Sequence, residues 1–109
     1  GREFFGPRSA VALAVPLRLA LHPNVPNPFN PSTAIRFDLP ARERVRLTIY
    51  DIGGHVVREL LASEVMEPGA HSVAWDGRTS AGIEAGSGIY FARLTVGDWS
   101  GTRKLLLVK

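Results

Sequence analysis

From Thr33 onward, large apolar residues occur at every second position in three separate segments. TAIRFDL (33–39) alternates apolar with polar residues, and VRLTIYDI (45–52) and IYFARLTV (89–96) repeat the pattern. A period of two is typical of a β-strand with one buried face, because successive side chains of a strand point to opposite sides. The predicted inward residues are Ile35, Phe37, Leu39, Val45, Leu47, Ile49, Tyr90, Ala92, Leu94 and Val96, and the predicted outward residues include Arg36, Asp38, Arg46, Thr48, Tyr50, Arg93 and Thr95.

Turn residues separate these segments at short intervals. The 109 residues include 11 Gly and 8 Pro, a proportion that favours short strands over long helices. Gly53-Gly54 suits a tight hairpin turn into HVVRELLA (55–62), for which a helix is the weaker alternative. EPG (67–69) predicts a further turn, and DGRTSAGIEAGSG (76–88) a long connection. We therefore predict an all-β fold, an immunoglobulin-like antiparallel β-sandwich of about seven strands.

Charge and cysteine content exclude several classes of protein. Thirteen basic and ten acidic residues give a formal net charge of +3, and the basic residues are scattered rather than clustered. Nucleic acid is therefore not an expected partner. The chain has no cysteine, which excludes disulfides, thiol catalysis and cysteine-ligated zinc but leaves the compartment open.

Two motifs restrict the backbone. In VPNPFNPST (25–33), three prolines fix φ and restrict the preceding residues, which predicts a rigid extended ribbon with Phe29 as an apolar plug. In the second motif, Asp76-Gly77 follows a core Trp75 and can close a turn through the aspartate side chain. Ser87-Gly88 can provide a sharp entry into the following strand.

Together the motifs resemble a C-terminal sorting domain of the type IX secretion system, over about residues 19–109. The resemblance lies in PNPFNPS (26–32) followed by a strand, in WDGRTSAGIEAGSGIYFARL (75–94), and in the ending TRKLLLVK (102–109). The same immunoglobulin-like pattern occurs in the flagellar hook-cap family. The structural motif residues are Pro26, Asn27, Pro28, Phe29, Asn30, Pro31, Trp75, Asp76, Gly77, Gly88 and Tyr90.

The resemblance implies a non-catalytic module that is secreted or displayed on the bacterial cell surface. It also implies protein partners, namely the export and attachment machinery that reads the terminal strand. The residues that it assigns to this strand are Arg103, Lys104, Leu105, Leu107 and Lys109. In the alternative interpretation, the charges are solvated edge residues that discourage aggregation.

The sequence gives no indication of catalysis. A triad of one histidine (His22, His55 or His71) with Ser72 and Asp76 would lack a nucleophile elbow and an oxyanion motif, so we expect no enzyme. Asp51, Asp76 and Asp98 lie near turns and offer oxygen ligands for calcium. Because no dense aspartate loop is present, turn roles are favoured and no cofactor is expected.

The segment SAVALAVPLRLAL (9–21) is the least easily placed. It is shorter than a membrane-spanning helix and is broken by Pro16 and Arg18, so no membrane insertion is expected. It resembles the apolar region of a signal peptide, but EFFGPR precedes it and the chain begins with Gly, which favours mature sequence. Its large apolar residues are all at odd positions, which predicts an extended strand.

We divide the chain into an N-terminal arm or linker (1–16) and a sandwich domain (17–109), with 17–21 as the first strand. The arm has more apolar surface than a linker should expose, so we expect it to add as a strand to a partner, either a preceding domain or an identical neighbour. The residues expected to make this contact are Val11, Leu13, Val15 and Leu17. Packing of the arm on its own sandwich is the alternative. Strand donation between identical subunits would make the chain part of an extracellular filament, which is the second function that the sequence supports.

Overall fold

The computed structural model describes Pro16 and residues 18–109, and over these residues it confirms the immunoglobulin-like β-sandwich. The described part contains seven strands in two antiparallel sheets and no helix. The strands are β1 (Ala20–Leu21), β2 (Thr33–Leu39), β3 (Glu43–Asp51), β4 (Val56–Met66), β5 (Gly69–Trp75), β6 (Gly88–Val96) and β7 (Trp99–Leu107).

One sheet has three strands in the order β1-β2-β5, and the other has four in the order β4-β3-β6-β7. All seven residues of β2 pair with β5, from Thr33 opposite Trp75 to Leu39 opposite Gly69. In the larger sheet, β3 and β6 are the interior strands and pair with each other from Val45 opposite Val96 to Asp51 opposite Tyr90. Strand β7 is therefore an edge strand of the larger sheet, and β1 an edge strand of the smaller one.

The core lies between the sheets and is formed by the residues that the alternation predicts. Trp75 and Phe37 from the smaller sheet pack with Leu47, Ile49 and Leu94 from the larger one, all of them fully buried. Burying a side chain of this size stabilises the folded state by roughly 1.5–3 kcal/mol relative to leaving it exposed. The period of two is thus the pattern from which the sandwich is built.

Thr48, which was predicted to face outward, is nevertheless only 4% exposed. Thr48 lies on the outward face of the interior strand β3, as the alternation requires, but its cross-strand neighbours are Glu59 of β4 and Arg93 of β6. Side chains of directly opposed residues lie within about 5.5 Å of each other at Cβ. Two long side chains therefore flank a short one and remove it from solvent.

Three element boundaries differ from the predictions. The first strand, expected over 17–21, is reduced in the described residues to Ala20–Leu21, and β4 extends beyond 62 to Met66. Strand β3 ends at Asp51, so Ile52 lies in the turn and is 76% exposed. The helical alternative for 55–62 is wrong, because β4 pairs with β3 along this segment.

The extended ribbon predicted for the proline motif was also wrong. Residues 26–28 and 30–31 are bends, and the peptide bonds before Pro26, Pro28 and Pro31 are cis. The physical reason lies in the anchors of the segment. Val25 bridges to Ala34 in the smaller sheet, whereas Phe29 bridges to Leu107 in the larger sheet. The chain then returns to the smaller sheet at β2, and a straight ribbon cannot cross between the sheets and return within this length.

Candidate functional site

The two motifs meet through three aromatic side chains at one end of the sandwich. The rings of Phe29 and Trp75 have centroids 5.7 Å apart, and those of Trp75 and Tyr90 are 5.3 Å apart in an edge-on arrangement. All three residues are buried. Aromatic pairs at these separations contribute about 0.5–1.5 kcal/mol beyond the burial of their surface. Phe29 is therefore buried as an apolar plug in the core.

Hydrogen bonds hold the long connection between β5 and β6 against this cluster. The carboxylate of Asp76 accepts a bond from the backbone N–H of Arg78 at 3.0 Å, as expected for a turn closed by aspartate. The indole N–H of Trp75 donates to the carbonyl of Arg78 at 2.9 Å. At the other end of the connection, the hydroxyl of Tyr90 donates to the carbonyl of Gly86 at 2.6 Å.

Gly77 is the point of closest approach between the two motifs. It has φ +75, and a Cβ atom at this position would lie 2.6 Å from the carbonyl oxygen of Pro31. Only glycine combines a positive φ with so little space on this side of the backbone. The first motif therefore packs directly on the turn of the second.

A buried polar pair that the sequence analysis missed braces the proline motif from the other side. The amide of Asn24 donates to the hydroxyl of Thr33 at 3.0 Å and to the carbonyl of Pro26 at 3.2 Å. The hydroxyl of Thr33 in turn donates to the same carbonyl at 2.8 Å. The only sequence signal was the position of these two polar residues at either end of the motif.

Residues 26–31, which we call the proline clip, lie along the outer edge of β7, the edge opposite β6. The backbone N–H of Phe29 donates to the carbonyl of Leu106 at 2.9 Å, and the N–H of Val108 donates to the carbonyl of Phe29 at 3.0 Å. This is a parallel bridge of one residue, Phe29 opposite Leu107. The clip thus acts as a short additional strand on the terminal edge of the larger sheet.

The side chain of Asn27 extends this pairing. Its Oδ1 accepts a bond from the N–H of Leu106 at 2.9 Å, and its Nδ2 donates to the carbonyl of Lys104 at 3.2 Å. These are the bonds that the peptide group of a neighbouring strand would make. Proline at 28 has no N–H to offer, so the carboxamide supplies the donor and the acceptor.

The clip covers only the C-terminal part of the β7 edge. Residues 97–98 form a two-residue turn between β6 and β7, so the odd-numbered residues of β7 bond to β6 and the even-numbered residues direct their backbone groups to the outer edge. Among the described residues, the clip satisfies the edge groups of Leu106 and the carbonyl of Lys104. The edge groups of Ser100 and Thr102, and the N–H of Lys104, have no backbone partner among those residues.

The structure divides the predicted sorting residues into four groups. Leu105 and Leu107 are buried in the core. Arg103 donates from Nε to the carbonyl of Leu21 at 2.9 Å, so it joins β7 to β1 across the sandwich. Lys104 is exposed on the opposite face of the strand. Sequence reasoning missed the other exposed residues of this end, Leu106 at 37% and Val108 at 46%.

Lys109 forms the fourth group, because it is bonded to the connection between β5 and β6. Its ammonium group lies 2.9 Å from a carboxylate oxygen of Glu84, and its backbone N–H donates to the hydroxyl of Ser87 at 2.9 Å. The hydrogen bond from Lys109, its charge and that of Arg78 lower the pKa of Glu84 below its usual value. The pair is therefore present at neutral pH and is lost as the pH falls through the lowered pKa of Glu84.

The histidines and aspartates considered for chemistry make other contacts. His22 lies 2.8 Å from the carboxylate of Asp38, and Nε2 of His71 lies 2.7 Å from the carbonyl of Glu67. Asp51 accepts bonds from Gly53 and His55 in the β3–β4 turn, and the bond from the His55 N–H is the largest of the effects that lower its pKa. Asp76 pairs with Arg58 at 3.1 Å.

The described residues offer neither a metal-binding cluster nor a membrane-spanning helix. They contain no group of three or more His, Cys, Asp or Glu side chains able to hold a metal ion. In the same part of the chain, no helix is long and apolar enough to cross a membrane. The proposed strand-donating residues Val11, Leu13, Val15 and Leu17 lie outside the described residues.

The fold and the clipped terminal strand define an immunoglobulin-like β-sandwich module. Residues 27–100 match the model of the FlgD Ig-like domain, and the chain belongs to this family. This finding confirms the resemblance inferred from the two motifs. A comparison with curated proteins finds no significant match.

Two solved structures share the fold. One is latent PorU from Porphyromonas gingivalis, with a TM-score of 0.64 and 22% identity over 83% of this chain and 9% of that chain. The other is PorZ from the same organism, with a TM-score of 0.57 and 14% identity over 83% of this chain and 12% of that one. The chain therefore spans about a tenth of each of these proteins.

The contact between Gly77 and Pro31 predicts unequal effects of two alanine substitutions. Gly77→Ala and Gly82→Ala both place a side chain at a positive φ, +75 and +81, which costs about 1–2 kcal/mol. Only Gly77→Ala also forces a Cβ against the Pro31 carbonyl, since nothing lies within 4 Å at Gly82. We expect Gly77→Ala to lower the free energy of unfolding by at least about 1 kcal/mol more than Gly82→Ala in urea denaturation. Equal losses would contradict the contact.

The role of the Asn27 side chain predicts a graded response. Asn27→Ala removes both bonds to β7 and should cost about 1–2 kcal/mol. Asn27→Asp keeps the acceptor for the Leu106 N–H and loses the donor to Lys104. Hydrogen exchange at the Leu106 amide should therefore accelerate markedly in the alanine variant and stay slow in the aspartate variant. Fast exchange in the unsubstituted protein would show that the bond is not formed.

Proposed function

We propose that this domain is a non-catalytic module that directs a larger secreted bacterial protein across the outer membrane and attaches it to the cell surface. The observation that carries the proposal is the terminal strand, whose edge is pinned by the proline clip in a chain of the FlgD Ig-like domain family. The proposal is supported by the shared fold with a part of PorU and with a part of PorZ, which is described as an essential bacterial surface component of the type IX secretion system.

The terminal strand is suited to recognition in its folded form. Its odd-numbered residues are directed to the core or, in the case of Arg103, to β1. Two even-numbered residues near the C-terminal end of the strand, Lys104 and Leu106, are exposed. The clip bonds to the backbone of both residues and so fixes their position. We propose that the machinery reads this surface of the folded strand, rather than an unfolded tail.

The proposal includes the absence of an enzyme activity and of a resident cofactor. It is supported by the contacts of the candidate groups, since His22, His71, Asp51 and Asp76 each bond to a neighbouring structural group. These side chains close turns and join strands. The proposed role requires only a protein partner.

A secretion reporter tests the proposal. Residues 1–109 are fused to the C-terminus of a fluorescent protein that carries a periplasmic signal, in a bacterium that has a type IX system. We expect the reporter at the cell surface, accessible to added protease, and retained in the periplasm when the outer-membrane pore is deleted. Periplasmic retention of a folded fusion in the intact strain would overturn the sorting role.

Matched charge reversals locate the surface that is read. Lys104→Glu and Arg36→Glu change the net charge equally, and both residues are exposed, on the larger and the smaller sheet respectively. We expect Lys104→Glu to reduce surface display severalfold and Arg36→Glu to leave it unchanged, with both melting temperatures within a few degrees of the parent. Equal display of the two variants would exclude Lys104 from the recognised surface.

The open part of the β7 edge favours a second function, a filament subunit that accepts a donated strand. Next to the edge groups of Thr102 lies a cavity of about 300 Å³ between β1 and β7, which is lined by Ala20, Leu21 and Trp99 among others. An extended apolar segment fits such a site, because main-chain bonds supply affinity and the cavity accepts a side chain. We propose the arm of a neighbouring chain as the donor.

Deletion of residues 1–16 tests this second function. The full chain should associate in sedimentation velocity, and the deletion variant should be a folded monomer. Thr102→Pro should also prevent association, because proline removes an edge N–H without disturbing the bonds between β7 and β6. An unchanged oligomeric mass after the deletion would exclude donation by the arm.

A further inference from the structure

The outward face of the larger sheet is divided into an apolar half and a polar half. Tyr50 of β3 lies opposite Val56 of β4 and opposite Phe91 of β6, and Ile89 of β6 lies opposite Leu106 of β7. Directly opposed residues project from the same face of a sheet. We call this set the apolar face: Tyr50, Val56, Ile89, Phe91 and Leu106, with Pro28 and Ile52 at its margins.

The next rows of cross-strand neighbours, toward the turn between β6 and β7, are polar. Thr48 lies opposite Glu59 and Arg93, and Arg93 lies opposite Thr102. The following row contains Arg46, Thr95 and Ser100. The apolar residues are therefore gathered at the end of the sheet that carries the β3–β4 turn and the proline clip. A contiguous exposed apolar area of this kind marks an interaction surface in a soluble domain.

Two shallow cavities lie on the apolar face. One of about 330 Å³ is lined by Tyr50, Ile52, Phe91 and Arg93 together with Asp51, Gly54 and Thr102. The other, of about 210 Å³, is lined by Asn27, Pro28, Ile89, Lys104 and Leu106. Each places apolar side chains beside one cation, and the first also contains Asp51 at its margin. The two depressions can accept side chains from one docked surface.

The charges of this face are unbalanced. Arg93 and Lys104 are exposed and form no ion pair with another described residue. The nearby carboxylates are engaged, since Asp51 accepts bonds in the β3–β4 turn and Glu59 pairs with Arg46. The face thus offers two cations and no uncommitted carboxylate among the described residues.

We propose that the apolar face docks a protein partner that presents apolar side chains flanked by carboxylates. Apolar contacts supply burial in the two cavities, and the carboxylates face Arg93 and Lys104 and favour encounter. A second copy of this chain is disfavoured, because like cations would meet across a symmetric contact. The inference deepens the sorting role, on which it rests for the partner's identity, by giving the partner's chemistry.

Peptide binding to the full 109-residue chain tests the chemistry, with backbone amide shifts measured by NMR. Three eight-residue peptides serve as probes, alternating Leu with Asp, Leu with Lys, and Ser with Asp. We expect only the Leu–Asp peptide to bind, with shifts at Tyr50, Ile89, Phe91 and Leu106. Equal binding of the Leu–Lys peptide, or shifts centred on the other sheet, would overturn the proposal.

Substitutions separate the apolar and the charged parts of the site. Arg93→Glu and Lys104→Glu should each weaken the Leu–Asp peptide by about threefold or more, and Arg36→Glu should not. Val56→Thr keeps the size of an exposed side chain and should weaken binding without changing the fold. Shifts on the apolar face that grow with protein concentration in the absence of peptide would identify a second copy as the occupant and overturn the proposal.

The secretion reporter distinguishes failure of this inference from failure of the sorting role. Peptide binding without surface display would overturn sorting and leave the docking chemistry in place. Surface display that is unchanged in Val56→Thr and Arg93→Glu would remove the apolar face from the sorting mechanism. Loss of both binding and display in these folded variants is the expected result.

Discussion

The structure depends on one short crossing between the sheets. The chain leaves the smaller sheet at Val25, places Phe29 in the core beside Trp75, bonds to the edge of β7, and returns to β2 at Thr33. Apolar side chains packed between two sheets supply no directional bond. The crossing supplies such bonds at the edge where β7 would otherwise be open, and thereby fixes the position of the terminal strand.

This arrangement joins the end of the sandwich to its beginning. The side-chain bond from Asn27 to Lys104 spans 77 positions, and that from Arg103 to Leu21 spans 82. Contacts of such separation cannot form within a local segment, because each requires the intervening chain to bring two distant residues together. The surface presented by β7 is consequently complete only when the whole domain has folded. A receptor of the kind proposed for that surface would therefore select folded domains over unfolded chains.

The alternation of apolar residues was enough to predict the sandwich, and the glycine and proline positions were enough to place most turns. The alternation did not predict the burial of Thr48, which depends on Glu59 and Arg93 from two other strands. The bent proline clip was missed for a similar reason, because proline restricts each residue locally while the anchors at Ala34 and Leu107 are remote. A local pattern predicts which segments become strands. The burial of an outward residue and the path of a segment along a sheet edge depend on which strands become neighbours.

The same limit applies to the candidate site. Arg103 and Lys104 are consecutive basic residues, and the family resemblance assigned both of them to the recognised terminal strand. A strand sends neighbouring side chains to opposite faces, so Arg103 bonds to β1 while Lys104 lies beside Ile89 and Leu106. Had the register of β7 been shifted by one residue, their roles would be exchanged and Leu105 and Leu107 would be exposed. The bonds from the proline clip to Leu106 and Val108 support that register, so the element that closes the core also determines which cation the proposed partner would meet.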